Sequence, residues 1–190
     1  MNVAILGVVA MVFMGIVVVI GLWFLMTYNG LIAFRNQVKN AWAQIDVQLK
    51  RRHDLIPNIV ETVKGYAKHE SGTFEAVVKA RTAAVQANGV DAKAKAEGEL
   101  SGVLSRLMAV AEAYPDLKAN QNFLALQEEL ASTENKIAFS RQAYNDQVMI
   151  YNTKIQVVPS NIVANVGGFT AMELFELKDN AQREAPAVKF

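Results

Sequence analysis

Residues 48–70 read QLKRRHDLIPNIVETVKGYAKHE. Apolar positions at Leu49, Ile56, Val60, Val63 and Ala67 recur at steps of three, four and seven, the spacing of one face of a helix. Pro57 stands in the middle and charges crowd both flanks. A proline inside a helix removes one amide donor, and its ring presses on the carbonyl four residues back, here that of His53. Two readings are open. Asp54 could cap a new helix that begins just before Pro57, or one continuous helix could bend at Pro57. No turn residue lies between Lys50 and Asp54, and the apolar face carries through the proline. The second reading is preferred, with Pro57 as a kink and the His53 carbonyl without its usual partner.

Working outward, the same face extends back through Val38, Trp42 and Ile45. A second long segment repeats it at Phe123, Leu126, Leu130, Ile137, Tyr144, Val148, Tyr151 and Ile155, close to a heptad spacing. An alanine-rich stretch, residues 74–113, lies between them, and alanine is the strongest helix former. Asn88-Gly89 offers a break within it and Asp91 a cap for the next helix; Ser71-Gly72 and Pro115 mark two further boundaries. Alternating strand patterns and hairpin turns are missing. The expectation is an all-α chain. Three arms of about forty residues, each roughly 60 Å long if helical, would form an antiparallel bundle over 28–157, with its middle arm interrupted.

Residues Val3–Met26 carry no charge and would span roughly 36 Å as a helix, enough for a hydrocarbon core of about 30 Å. Trp23 and Tyr28 sit where an interfacial aromatic belt belongs. A cleaved signal peptide fits less well, since no Lys or Arg precedes the run and no A-x-A site comes after it. Residues 1–27 are therefore expected to be a retained single-pass anchor in membrane lipid. Arg35 and Lys39 come soon after the span, and the positive-inside rule puts the folded part in the cytoplasm of a bacterial cell.

Asp46, Asp54 and Glu61 form a stripe beside the apolar seam, and Arg81, Arg106 and Arg141 fall at or near core positions on other arms, with Glu134 seven residues before Arg141. Edge charges shielding the core are one explanation. Carboxylate–arginine pairs that fix helix register are the sharper one, and a catalytic carboxylate pair is the remaining alternative. The tail, residues 158–190, is punctuated by Pro159 and Gly167-Gly168; FTAMELFELKDN is expected to form a short amphipathic helix. Phe169, Met172, Leu174, Phe175, Leu177 and Phe190 could dock on the parent bundle or recognise a partner; an amphipathic tail lying on lipid is a third, lesser alternative.

The composition bounds the chemistry. Cysteine is absent, which excludes disulfides, thiolate catalysis and cysteine-ligated zinc. The net charge of +1 supplies no field for nucleic acid. His53 and His69 belong to no HExxH, no ExxH pair marks a di-metal bundle, and there is no P-loop, Rossmann glycine pattern or GxSxG. No enzyme activity, cofactor or metal is expected.

The stretches YNGLIAFRNQVKNAWAQIDVQLKRRHDLIPNIVETVKGYAKHE (28–70) and AYPDLKANQNFLALQEELASTENKIAFSRQAYNDQV (113–148), with the Tyr-Asn at 151–152, strongly resemble the LemA family of bacterial membrane proteins. The resemblance covers essentially everything after the anchor. It implies one N-terminal membrane helix, a long helical bundle and no established enzymatic activity. Related proteins of magnetosome membranes are linked to membrane shaping, which implies a scaffold. Family members that begin as lipoproteins require a cysteine that this chain lacks. Two functions are thus expected to compete: a self-associating membrane scaffold, and an adaptor for another envelope protein such as a protease or signalling component.

Overall fold

The computed structural model describes the backbone of residues 2–176 and the side chains of 5–176. Among these described residues are six helices: α1 (Asn2–Tyr66), α2 (Ser71–Gln86), α3 (Val90–Glu112), α4 (Pro115–Lys118), α5 (Gln121–Gln156) and α6 (Ser160–Val166). No strand occurs among the described residues, and the protein is all-α. Two compact units are formed, each taken over its described residues: Met1–Asn40 with Asp146–Met172, and Ala41–Asn145 with Glu173–Phe190. This division falls within α1 and α5, so both helices supply residues to each unit.

In the first unit, every large apolar side chain of α1 from Ile5 to Leu22 is more than half exposed. This is the one described helix long and apolar enough to cross a membrane. Further along α1, Leu31 and Val38 are buried, as are Val148, Tyr151 and Ile155 of α5 and Val163 and Ala164 of α6. Tyr28 meets Phe169 edge to face at 5.4 Å between ring centroids. Lys154 stands over the Phe34 ring.

The second unit is a four-helix bundle. Leu55, Ile56, Ile59, Val60 and Val63 of α1 join Phe74, Val77 and Ala84 of α2, Leu100, Leu104 and Leu107 of α3, and Phe123 and Leu130 of α5 in one core. Directions can be taken from the contacts. Arg81 of α2 reaches back to residue 53 of α1, so α2 is antiparallel to α1. Asp46 and Arg52 of α1 meet Lys93 and Glu97 of α3 in the same order, so α3 is parallel to α1. Trp42 packs on Tyr144, and Tyr66 bonds Asn120, so α5 returns antiparallel. The middle arm is interrupted at 87–89, but the interruption is a reversal: α2 and α3 form a hairpin, and the bundle has four arms where three were expected. Ala87 leaves α2 in an extended conformation, and Gly89 turns the chain at φ +86°, a value that side chains with a Cβ rarely adopt. Gly89, not Asp91, occupies the cap position of α3; Asp91 lies in the first turn. The apolar spacing could not distinguish a collinear break from a fold-back, because each half presents an apolar stripe of its own.

Pro115 opens α4 as its first residue. Asn120 caps α5, its Oδ1 accepting from the amides of Asn122 and Phe123 at 2.9 and 3.1 Å. The helix expected across 169–180 is not formed over its described part: 169–176 lie outside any helix, and the helical turns come earlier, at Ser160–Val166. The cause is competition for backbone groups, since α5 side chains take those of 170, 172, 173 and 175.

Candidate functional site

α1 is continuous through Pro57, and the proline's effect is visible at the carbonyl it deprives. Arg81 Nε of α2 donates to the His53 carbonyl at 2.7 Å. The bond that a residue-57 amide would have made inside the helix is replaced by a charged donor from a neighbouring helix. A local defect in α1 therefore becomes an interhelical link.

Directly beside it lies a buried charge cluster. Leu49 and Ile56 are one heptad apart, and the seam position between them is taken by Arg52, with His53 next to it. Both residues are buried. On α3 the seam runs Ala94, Glu97, Leu100, so Glu97 likewise occupies a core position. Arg52 Nη1 donates to Glu97 Oε2 at 3.1 Å, and Arg52 Nη2 to Ser101 Oγ at 2.7 Å. His53 Nε2 lies 2.7 Å from Glu97 Oε1. An ionised carboxylate only accepts, so His53 Nε2 carries the proton. Arg52 Nε sits 2.9 Å from Glu134 Oε1 of α5, close enough for ion pairing though off the line of a hydrogen bond. The Arg52 and Glu97 side chains are 2% and 3% exposed, while Glu134 is 38% exposed. Burial pushes the Glu134 carboxyl above its ordinary range; Arg52 opposes the shift and Glu97 adds to it.

One guanidinium thus ties α1 to α3 and α5, and one carboxylate gathers Arg52 and His53. Such a cluster is weak as a source of net stability but severe on mispairing, since a register shift would bury unpaired charge. Its chemical capacity is to fix one helix arrangement. Among the described residues no group of acidic or histidine side chains is placed to hold a metal ion.

The residues singled out from spacing fall differently. Asp46 pairs with Lys93 at 2.7 Å, and Glu134 with Arg52. Glu61 pairs along its own helix with Lys64 at 3.7 Å, both exposed. Arg81 serves the His53 carbonyl. Asp54 and Arg106 are exposed, Arg141 is half-buried, and none of the three forms an ion pair among the described residues. No two of the seven pair with each other. The centre is built on Arg52, His53 and Glu97 instead, and the readable signal was a charged residue filling a seam position, not a stripe beside it.

A second feature is a repeated clamp on α5. In the second unit, Asn145 accepts the Phe175 amide at 2.8 Å and donates to the Phe175 carbonyl at 3.3 Å, while Tyr144 donates to the Glu173 carbonyl. In the first unit, Asn152 brackets Met172 in the same way, both bonds at 2.9 Å, and Tyr151 donates to the Thr170 carbonyl. Each asparagine amide imitates a backbone amide and pairs one residue like a rung of sheet. The Tyr-Asn pairs are seven residues apart on the helix, a rise of about 10.5 Å. Their targets are three apart in sequence. Burial raises the pKa of both tyrosines, as does Glu173 for Tyr144; Arg35 opposes the rise for Tyr151.

Phe169 is buried against Tyr28, and Phe175 is buried against Trp42 at 5.7 Å. Met172 is half-buried and Leu174 exposed. Leu177 and Phe190 lie outside the described residues. Trp23, like Tyr28, is half-buried.

Comparison with known proteins gives a consistent relationship. The model of the LemA family matches residues 41–190. Magnetosome protein MamQ 2 of Paramagnetospirillum magneticum is 27% identical over 180 residues, covering 81% of this chain and 66% of that protein. Magnetosome protein MamQ of Magnetospirillum gryphiswaldense is 25% identical over 180 residues, with the same coverage. Protein LemA of Metamycoplasma hominis is 26% identical over 156 residues, covering 77% of this chain and 70% of that protein. The match thus spans 66% of the length of the MamQ relatives.

Proposed function

Since this chain belongs to the LemA family, and one of its helices carries both an exposed apolar run and the bundle's central charges, we propose that it is a single-pass, membrane-anchored helical scaffold that self-associates. The observation that carries this reading is α1 itself. Its large apolar side chains from Ile5 to Leu22 are more than half exposed among the described residues, and the helix continues unbroken to Tyr66. An apolar surface of that length suits the hydrocarbon core of a bilayer. Relatives named as magnetosome proteins support work at a membrane. The bilayer is the bacterial inner membrane, with the folded part on the cytoplasmic side, supported by Arg35 and Lys39 just after the span.

Self-association rests on apolar side chains left exposed on the bundle: Val47, Val78, Val85 and Phe139. These suit side-by-side contact between copies. The scaffold acts by position, without catalysis and without nucleic acid. An adaptor reading that uses the tail is less favoured, because Phe169 and Phe175 are buried in the chain's own units. The test is native mass spectrometry of the full chain extracted in mild detergent. Defined multimers at working concentration are expected. A population made only of monomers removes the scaffold reading.

A further inference from the structure

The turn after α5 and the short helix α6 form an uncharged elbow. From residue 155 to 172 the sequence is IQVVPSNIVANVGGFTAM, eighteen residues without a charge, bracketed by Lys154 and Glu173. One side of the elbow is packed: Val163, Ala164 and Phe169 are buried. The other side presents Val158, Ile162 and Val166, four residues apart, at 78%, 57% and 73% exposure, with Val157 also exposed. Ser160 holds the turn, its hydroxyl donating to the Lys154 carbonyl at 2.6 Å. Branched apolar side chains held out to solvent on a braced turn call for a partner.

The position within the first unit identifies that partner. Gly167, next after α6, lies so close to α1 that an added Cβ would come within 3.0 Å of Tyr28 Cε2. Phe169 packs on the same Tyr28 ring. Tyr28 is two residues, about 3 Å of helix, beyond Met26, where the apolar run of α1 ends. The end of α6 is therefore packed at the level where α1 leaves hydrocarbon. The headgroup zone is about 5–8 Å deep on each face of a bilayer, so a bilayer taking up α1 reaches the elbow.

We infer that Val158, Ile162 and Val166 enter the bilayer interface as a second lipid contact beside α1. The occupant is the lipid surface, by continuity with the apolar face of α1. The arrangement is that of an interfacial segment lying on the membrane next to a spanning one. Two contacts on one bilayer face restrict the tilt and rotation of α1, which a lone span leaves to its flanking aromatic residues.

The inference rests on the reading that α1 spans the membrane, and the experiment separates the two. The chain has no cysteine, so each of four single replacements, Val12→Cys, Glu99→Cys, Val158→Cys and Ile162→Cys, takes one spin label at one place; Glu99 is an exposed residue of α3 and serves as the aqueous reference. The full chain is reconstituted in vesicles of phosphatidylcholine and phosphatidylglycerol. Collision with oxygen, which concentrates in lipid, is compared with collision with a water-soluble nickel chelate. The oxygen-to-nickel ratio at 158 and 162 is expected to exceed that at 99 severalfold, and residue 12 to give the highest ratio. A lipid-like value at 12 with values at 158 and 162 equal to that at 99 overturns the elbow contact alone. An aqueous value at 12 overturns the spanning reading and this one with it. Shielding of 158 and 162 from both probes, with dipolar broadening between labels, places a second copy there and also overturns the lipid assignment.

Discussion

Arg81 and Pro57 are predicted to be energetically coupled although their side chains act on one another only through the His53 carbonyl. In the native chain, Arg81→Ala removes a charged hydrogen bond and takes from that carbonyl the donor that serves it. Loss of a charged bond costs about 1.5–3 kcal/mol, and a buried unpaired carbonyl keeps the cost near the top of that range. Pro57→Ala restores an amide at residue 57, able to bond the His53 carbonyl in ordinary helical fashion. In that background Arg81→Ala should cost only about 1 kcal/mol, the loss of a redundant contact. The double-mutant cycle therefore predicts a coupling of about 1–2 kcal/mol. The measurement is denaturant unfolding of the four full-length proteins in one mild detergent, monitored by helical circular dichroism. Equal costs for Arg81→Ala in the two backgrounds, with coupling below about 0.5 kcal/mol, would refute the claim that the arginine stands in for the missing amide.

Three further outcomes are expected. Glu97→Ala leaves buried Arg52 with the Ser101 hydroxyl and the partly exposed Glu134 as its remaining partners, and should cost about 3–5 kcal/mol in the same unfolding assay; joint replacement of Arg52 and Glu97 by methionine should cost much less. For Glu134 the folded pKa is raised above 4.5, so the folded state holds a proton that the unfolded chain has released. Stability should thus fall as pH rises through the window between the ordinary and the raised value, and Glu134→Gln should flatten that slope. Asn152→Ala removes both bonds to Met172 and should speed hydrogen exchange at the Met172 amide, with Asn145→Ala doing the same at Phe175.

Much of this molecule was legible as a pattern. The apolar period on α1 and α5, the absence of strand signals and the uncharged run near the start lead to an all-α chain with one candidate span, because burial periodicity is a local property of sequence. Continuity through Pro57 was legible for the same reason: no turn residue competes with the helix there. The orphaned His53 carbonyl is a consequence of covalent geometry alone, and its partner is not. Arg81 was singled out as a charge for a carboxylate, and it answers a carbonyl.

The tertiary structure decided three matters. It made the break at 87–89 a hairpin, since a Gly89 turn and an apolar stripe on each half suit a reversal as well as a straight continuation until the halves find what they bury against. It chose Arg52, Glu97 and Glu134 over the neighbouring charges, because an ion pair depends on which seam positions from separate helices meet at one depth. It kept residues 169–176 out of a helix, because asparagine and tyrosine side chains on α5 claim the backbone groups that a local helix needs. Periodicity reports which side of a helix turns inward; the residue that waits on the other side of the core is set by packing between segments distant in sequence.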